Sequence, residues 1–255
     1  MRKIYFLLLT ILFAATINAQ TSGLLETAAP NNTAATAQSI TSPIKIKGNV
    51  FPDADVDYYS FTAAAGDKVY ATVQTSFASN ASTDADLRLF ASDGTTLIEY
   101  DDADGSFGSL TASIAGATIP VAGTYYLQVS HFSATNRLRG YDLYFKVQTG
   151  APTPEVEGND TPATANAMPG SGWVSGTRNP AAATEQDWFS VTLAAGESVF
   201  ICMDLDPERD NVQYNGRLGF ALFGDAGNQI LVVDDASTGS VANPLSEAFL
   251  FTAKD

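Results

Sequence analysis

His131 and Cys202 are the only histidine and the only cysteine in the chain, so the side chains that most often carry nucleophilic or proton-shuttle chemistry are nearly absent. They fall at non-equivalent places in two related halves, and a shared catalytic pair would have to bridge those halves. There is no G-x-S-x-G, H-E-x-x-H, phosphate loop or paired-Cys spacing, so hydrolase, zinc and nucleotide chemistry lack their usual parts. No catalytic residue is assigned and the chain is read as non-enzymatic. Cys202 alternates with Ile201 and Met203 and reads as a small, half-buried strand residue; His131 reads as a surface or loop residue. What the chain does offer is carboxylate oxygen. The run Asp101-Asp102-Ala103-Asp104-Gly105 invites a calcium reading, but with Gly105 as the sixth position of an EF-hand loop the first falls on Tyr100 and the twelfth on Thr111. Neither can play its part, and the run reads as a solvated hairpin turn.

The elements that must position any site begin after a leader. Arg2 and Lys3 precede an apolar run from Ile4 to Ala15, and Ile17-Asn18-Ala19 ends in a small residue suited to cleavage before Gln20. These are the marks of a secretory signal peptide over residues 1–19, and the run is too short for a spanning helix. The expected product is an exported protein, secreted or on the cell surface, with no membrane span. Removing the leader leaves 28 acidic against 11 basic side chains, which excludes nucleic acid as a natural partner and favours solubility and cation binding. A single cysteine makes no internal disulfide, so stability is expected to rest on hydrophobic cores and metal ions.

Those cores come in two copies. Asp55 to Gln74 (DVDYYSFTAAAGDKVYATVQ) returns 130 positions later as Glu185 to Asp204 (EQDWFSVTLAAGESVFICMD). Leu87 to Asp102 returns 133 positions later as Phe220 to Asp235, a difference of one short loop insertion. A repeat this long is a domain rather than a solenoid unit, and two beads on a string are expected. The strands alternate: Val69, Ala71 and Val73 face one way, as do Tyr125, Leu127 and Val129, then Tyr141, Leu143, Phe145 and Val147. Turn signals separate them at Ala65-Gly66-Asp67, Ser92-Asp93-Gly94 and Ala122-Gly123. The fold class is all-β, two antiparallel β-sandwiches in tandem over residues 20–148 and 155–255, joined by a Pro-rich linker at 149–154. The second copy stops where the equivalent of Gly123 is due, and is expected to be short of about two strands.

The ordered motifs, an acidic and Asn-bearing leader, D-x-D-Y-Y-S-F, A-A-G-D, D-L-x-L-F-x-x-D-G-T, A-G-T-Y-Y-L-x-V and Y-D-L, resemble the bacterial pre-peptidase C-terminal domain family. The resemblance runs along Glu26 to Val147 and again from Glu155. It implies jelly-roll-like sandwiches of about a hundred residues, non-catalytic and typically appended to secreted proteases and other exported enzymes. Members similar to the collagen-binding domains of clostridial collagenases hold calcium between a leader, E-x-E-x-N-D, and an acidic loop before the D-Y-Y-S strand. Carried over, that ligand set is Glu155, Glu157, Asn159, Asp160 and Asp187 in the second copy. Thr184 stands where the family has an acid, with Glu185 as its substitute. In the first copy Ala29 and Asn32 replace two carboxylates, and Asp53, Asp55 and Asp57 remain. Calcium takes six to eight oxygens, so ligands converging from a leader and a distant loop suit it.

Strand parity also points outward. If Tyr125, Leu127 and Val129 face the core, then Tyr126 faces out, with Phe132 continuing its row and Tyr144 outward on the next strand; such aromatics can stack on an extended ligand. In collagen-binding relatives tyrosines stand in place of Ser130 and Phe132, so one of the two aromatics is missing. The functional expectation is a calcium-stabilised accessory region that tethers or presents a partner domain, or binds an extracellular protein or polysaccharide. One alternative is the N-terminal part of a secreted hydrolase whose catalytic domain lies downstream; another is a repeat-built adhesin.

Overall fold

Alternation dominates the structure, a computed structural model that describes residues 23–27, 30–75, 83–102, 111–177, 186–211, 218–221, 229–233 and 240–253. The expected signal peptide, the tip of the Asp101–Gly105 run and Glu185 lie outside those residues. The first domain consists of β1 (Leu24–Leu25), β2 (Gln38–Ser39), β3 (Ile44–Val50), β4 (Asp57–Ala63), β5 (Lys68–Thr75), β6 (Ala85–Phe90), β7 (Leu97–Asp101), β8 (Ala112–Thr118), β9 (Gly123–His131) and β10 (Leu138–Gln148). They form two five-stranded sheets, β1-β3-β10-β5-β8 and β2-β4-β9-β6-β7. Each central strand sends every second side chain between the sheets. Ile46, Tyr59, Val69, Ala71, Leu87, Leu127 and Leu143 have no exposed surface and belong to one contiguous core. That core draws on the first domain alone, which makes the domain self-sufficient.

The leader departs from antiparallel order in a way that builds a site. β1 pairs in parallel with β3, and β2 in parallel with β4, so the leader is at the edge of one sheet before Glu26 and at the edge of the other after Ala37. The crossing contains a single 3-10 turn at Ala34–Thr36, held by Thr33 and Thr36, whose hydroxyls lie 2.8 Å apart. It brings Asn31 beside β4, where the Asn31 carbonyl accepts the Tyr58 N–H at 2.8 Å.

The second unit contains β11 (Thr153–Pro154), β12 (Asn166–Ala167), β13 (Val174–Ser175), β14 (Phe189–Ser190), β15 (Ser198–Asp204), β16 (Leu218–Ala221), β17 (Gln229–Val233) and β18 (Ser246–Thr252). The linker's last two residues are therefore strand. The crossing leader recurs: β11 pairs in parallel with β13 and β12 with β14, around a 3-10 turn at Pro162–Thr164. The A-A-G turns recur as well, with Gly66 at φ 86° and Gly196 at φ 82°, a left-handed conformation that glycine adopts without steric cost. β15 pairs with β18 and β16 with β17, both antiparallel.

The units are not separate beads. β15 and β18 lie on the outer face of β5, β10 and β8, where Tyr144 stacks on Phe200 at 5.9 Å between ring centroids and the Ser113 and Ser246 hydroxyls meet at 2.6 Å. Thr72, Gln74 and Ser113, outward by parity, are consequently buried.

Candidate functional site

The leader crossing brings three acidic side chains and an amide together at one end of the first sandwich. Glu26 follows β1, its own N–H donating to the Lys47 carbonyl at 2.9 Å, and its carboxylate accepts the Asn49 N–H at 2.8 Å. Asp55 accepts the Phe51 N–H at 3.1 Å and the Asn32 side-chain amide. Asp57 opens β4 on the inward face and is fully buried. Its Oδ2 accepts the Tyr141 hydroxyl at 2.7 Å, and Tyr141 in turn meets the Tyr59 hydroxyl at 2.5 Å. Gly48 leaves room for this chain, since a Cβ there would stand 2.4 Å from the Tyr141 oxygen.

Asp57 Oδ1 and Asn31 Nδ2 are buried without a hydrogen-bond partner, an arrangement that costs free energy unless something charged or polar fills it. Burial pushes the Asp57 carboxyl up to about 8; the Tyr141 hydrogen bond opposes the rise, while the charge of Glu26, a carboxyl–carboxyl hydrogen bond to Glu26 once a proton is present, and the charge of Asp55 add to it. A cation among Glu26, Asp55 and Asp57 would reverse that logic by holding all three ionised. Among the described residues no trio of His, Cys, Asp or Glu side chains is already arranged as a metal site, so amide or backbone oxygens would have to complete the set. The partnerless Asp57 oxygen and the oxygen-only donor chemistry fit a hard cation of the calcium type.

The second unit repeats the cradle. Glu155 donates its N–H to the Ser175 carbonyl at 2.9 Å and accepts the Thr177 N–H through Oε1, while its Oε2 has no hydrogen-bond partner. Asn159 is buried, its carbonyl accepts the Trp188 N–H at 2.9 Å, and its Nδ2 is without a partner. Asp187 occupies the position of Asp57 and is half-buried. Glu157 and Asp160 are exposed.

Several expectations are redrawn. Asp53 does not join Asp55 and Asp57; it pairs with Arg137 at 2.8 Å, half-exposed, on a loop where Arg137 also lies over the Phe51 ring. Glu26 escapes an ungapped comparison of the leaders, because four residues separate it from Asn31 while three separate Glu155 from Asn159. Allowing a one-residue gap aligns the two glutamates. His131 is buried rather than superficial: alternation along β9 continues to its last residue, and its Nδ1 accepts the Ser133 N–H at 2.9 Å. Asp101 is likewise buried, accepting the Ser113 N–H at 2.5 Å. Burial raises the Cys202 thiol well above its ordinary value, with Asp204 nearby adding to the rise, so the thiolate is disfavoured.

The outward aromatics divide between the two sheets. Tyr126 lies on the face of β2-β4-β9-β6-β7, beside the stacked Tyr58 and Phe90 rings 6.1 Å apart. Phe132 just beyond β9 is 59% exposed. It borders a cleft of about 150 Å³ that is also lined by Asp55, Asp86, Arg88 and Asn136. Tyr144 belongs to the opposite sheet and is buried beneath Phe200. The three residues therefore do not form one ligand face.

Residues 55–131 match the model of the bacterial pre-peptidase C-terminal domain. A probable subtilase-type serine protease of Deinococcus radiodurans is 36% identical over 88 residues, 34% of this chain and 11% of that protein; the chain thus spans about a tenth of its curated relative. Among solved structures, the pre-peptidase C-terminal domain of a Bacillus anthracis collagenase is similar at 22% identity and a TM-score of 0.34, over 43% of this chain and 94% of that one. A periplasmic inhibitor of g-type lysozyme from Aeromonas hydrophila is similar at 19% identity and a TM-score of 0.33, over 44% and 96%. Over residues 55–131 of its first domain, the chain is thus similar to the bacterial pre-peptidase C-terminal domain family.

Proposed function

We propose that this chain is a non-catalytic accessory region of an exported protein, clamped by calcium and serving to tether or present a partner. The observation that carries the reading is the fully buried Asp57, one oxygen of which has no hydrogen-bond partner at the place where Glu26, Asn31 and Asp55 converge. In the second unit the carboxylate Oε2 of Glu155 is likewise buried without a hydrogen-bond partner. A calcium ion there supplies positive charge and joins oxygens from leader and loop, so that binding fastens the crossing leader onto the sandwich. Glu26 is oriented for this by the Asn49 N–H and Asp57 by the Tyr141 hydroxyl. Calorimetric titration of the full chain with calcium tests the reading. Heat of binding that Asp57→Ala reduces and Asp57→Ala with Asn159→Ala abolishes supports it; absence of binding at millimolar calcium overturns it.

A second reading concerns the partner. The similarity to a segment of a probable subtilase-type protease favours an arrangement in which these units accompany a hydrolase domain in one polypeptide. The aromatic outer face of β2-β4-β9-β6-β7 and the cleft beside Phe132 suit an extended extracellular polymer instead. Co-sedimentation with insoluble collagen, chitin and peptidoglycan separates the two: retention that Phe132→Ala removes favours polymer binding, and no retention on any of them favours a presenting role.

A further inference from the structure

In an isolated sandwich the outer face of β5, β10 and β8 would be water-facing and its acidic neighbours would need no counter-ion. Here Thr72 and Ser113 are 0% and 1% exposed, and Ala115 is 4% exposed. The side chains above them come from equivalent strands. Phe200, Cys202 and Asp204 on β15 correspond in the repeat to Tyr70, Thr72 and Gln74 on β5, so the two units meet through the same outward face. Trp173 contacts Tyr70 edge-on at 6.5 Å, and the Lys146 ammonium donates to the Ser171 carbonyl at 2.6 Å.

A second observation is independent of that face. Glu99 on β7 stands opposite Leu89, in the row of side chains that points inward, and is 5% exposed. A carboxylate there is costly unless a cation reaches it. Arg209 of the second unit does so, its Nε 2.8 Å from Glu99 Oε1 and its Nη1 2.8 Å from Asp204 Oδ1, while Nη2 donates to the Ala115 carbonyl at 2.6 Å. One guanidinium thus joins carboxylates of both units and a backbone oxygen of β8, the planar multi-donor role for which arginine is suited.

We infer that the outer face of β5, β10 and β8 is a homotypic docking surface whose occupant is the matching face of the second unit, with Arg209 as the pin that makes the two units one rigid body. The inference does not depend on calcium. It leaves the β2-β4-β9-β6-β7 face as the open one and fixes the spacing of the two cradles. The test is a cysteine pair at the Ser113–Ser246 contact in the mature full chain, with Cys202→Ser to remove the native thiol. Ser113→Cys with Ser246→Cys is expected to close an intramolecular disulfide readily under mild oxidation, and a control pair of Thr62→Cys on the opposite sheet with Ser246→Cys is not. Adding Arg209→Met is expected to slow closure about tenfold or more, because it strands Glu99 and Asp204 without a cation. Equal rates for the contact and control pairs overturn the docking, and an unchanged rate with Arg209→Met overturns the role of the pin. Solution scattering of the unmodified chain gives a second measure: a radius of gyration near that of a compact body, about 18 Å, supports docking, and a markedly larger value overturns it.

Discussion

The two cradles reach one geometry from different residues. In the second unit the leader keeps Glu155 and Asn159 and the loop before β14 keeps Asp187, yet Phe189 stands where the first domain has Tyr59. In the first domain the leader looks depleted, yet Glu26 takes the place of Glu155 after a one-residue slip, and Asp57 is anchored by the Tyr141–Tyr59 hydroxyl pair. The difference suggests that in the proposed site the crossing of the leader between sheets, rather than letter-by-letter identity, decides which side chains come together. In both units the leader glutamate accepts a backbone N–H, Glu26 from Asn49 and Glu155 from Thr177.

The sharpest way to break the comparison is to remove its buried members. Asp57→Ala is expected to abolish the first domain's calcium-dependent gain, about 10 °C in melting temperature for a site held near a hundredfold above its dissociation constant. Asn159→Ala should leave that gain intact and affect only the second unit.

The next effect is one of pH. With chelator present, the Asp57 pKa of about 8 in the folded state lies above the ordinary 3.8. The stability it contributes is complete below about pH 4 and is lost as pH rises through about 8. Glu99 and Asp204, both raised chiefly by burial and lowered in part by Arg209, act in the same direction. Melting temperature in chelator is therefore expected to rise on acidification from pH 8 to pH 5, and calcium at pH 8 to flatten the profile. A profile that instead falls on acidification contradicts the assignment of Asp57.

Tyr141→Phe sharpens the comparison further, since it removes the hydroxyl that orients Asp57. A cost of about 1–3 kcal/mol in chemical denaturation is expected, together with weaker calcium binding, as a hydrogen bond to the ionised carboxylate is lost. Glu26→Gln and Glu155→Gln should each weaken calcium binding in their own unit by about tenfold, through loss of one ligand charge. The smallest effect belongs to Asp53→Asn. An exposed pair such as Asp53–Arg137 contributes about 0–1 kcal/mol, and calcium binding should not change.

Much of this was legible in the sequence because a strand writes its environment with period two. Val69, Ala71, Leu127 and Leu143 declare the core, and the paired A-A-G turns declare the repeat. For the site as proposed, oxygen ligands from a leader and a loop were legible only as a resemblance. The membership was not. Glu26 hid behind a one-residue gap, Asp53 was claimed by Arg137, and Glu157 and Asp160 point to solvent. Tyr144 is outward on its sheet, as parity gives, but not open to a ligand: parity tells which side of a sheet a residue occupies, and nothing local tells that a second unit will cover that side.

The central claim is that cation binding fastens the crossing leader onto the first sandwich through Asp57. The direct measurement is a thermal melt of the full chain at pH 7.5, with calcium and with chelator, for the unmodified protein and for Asp57→Ala. The account predicts an upward calcium shift of about 10 °C in the first domain's transition that is absent in the variant. An identical melt with and without calcium, or a full shift retained in Asp57→Ala, would contradict it.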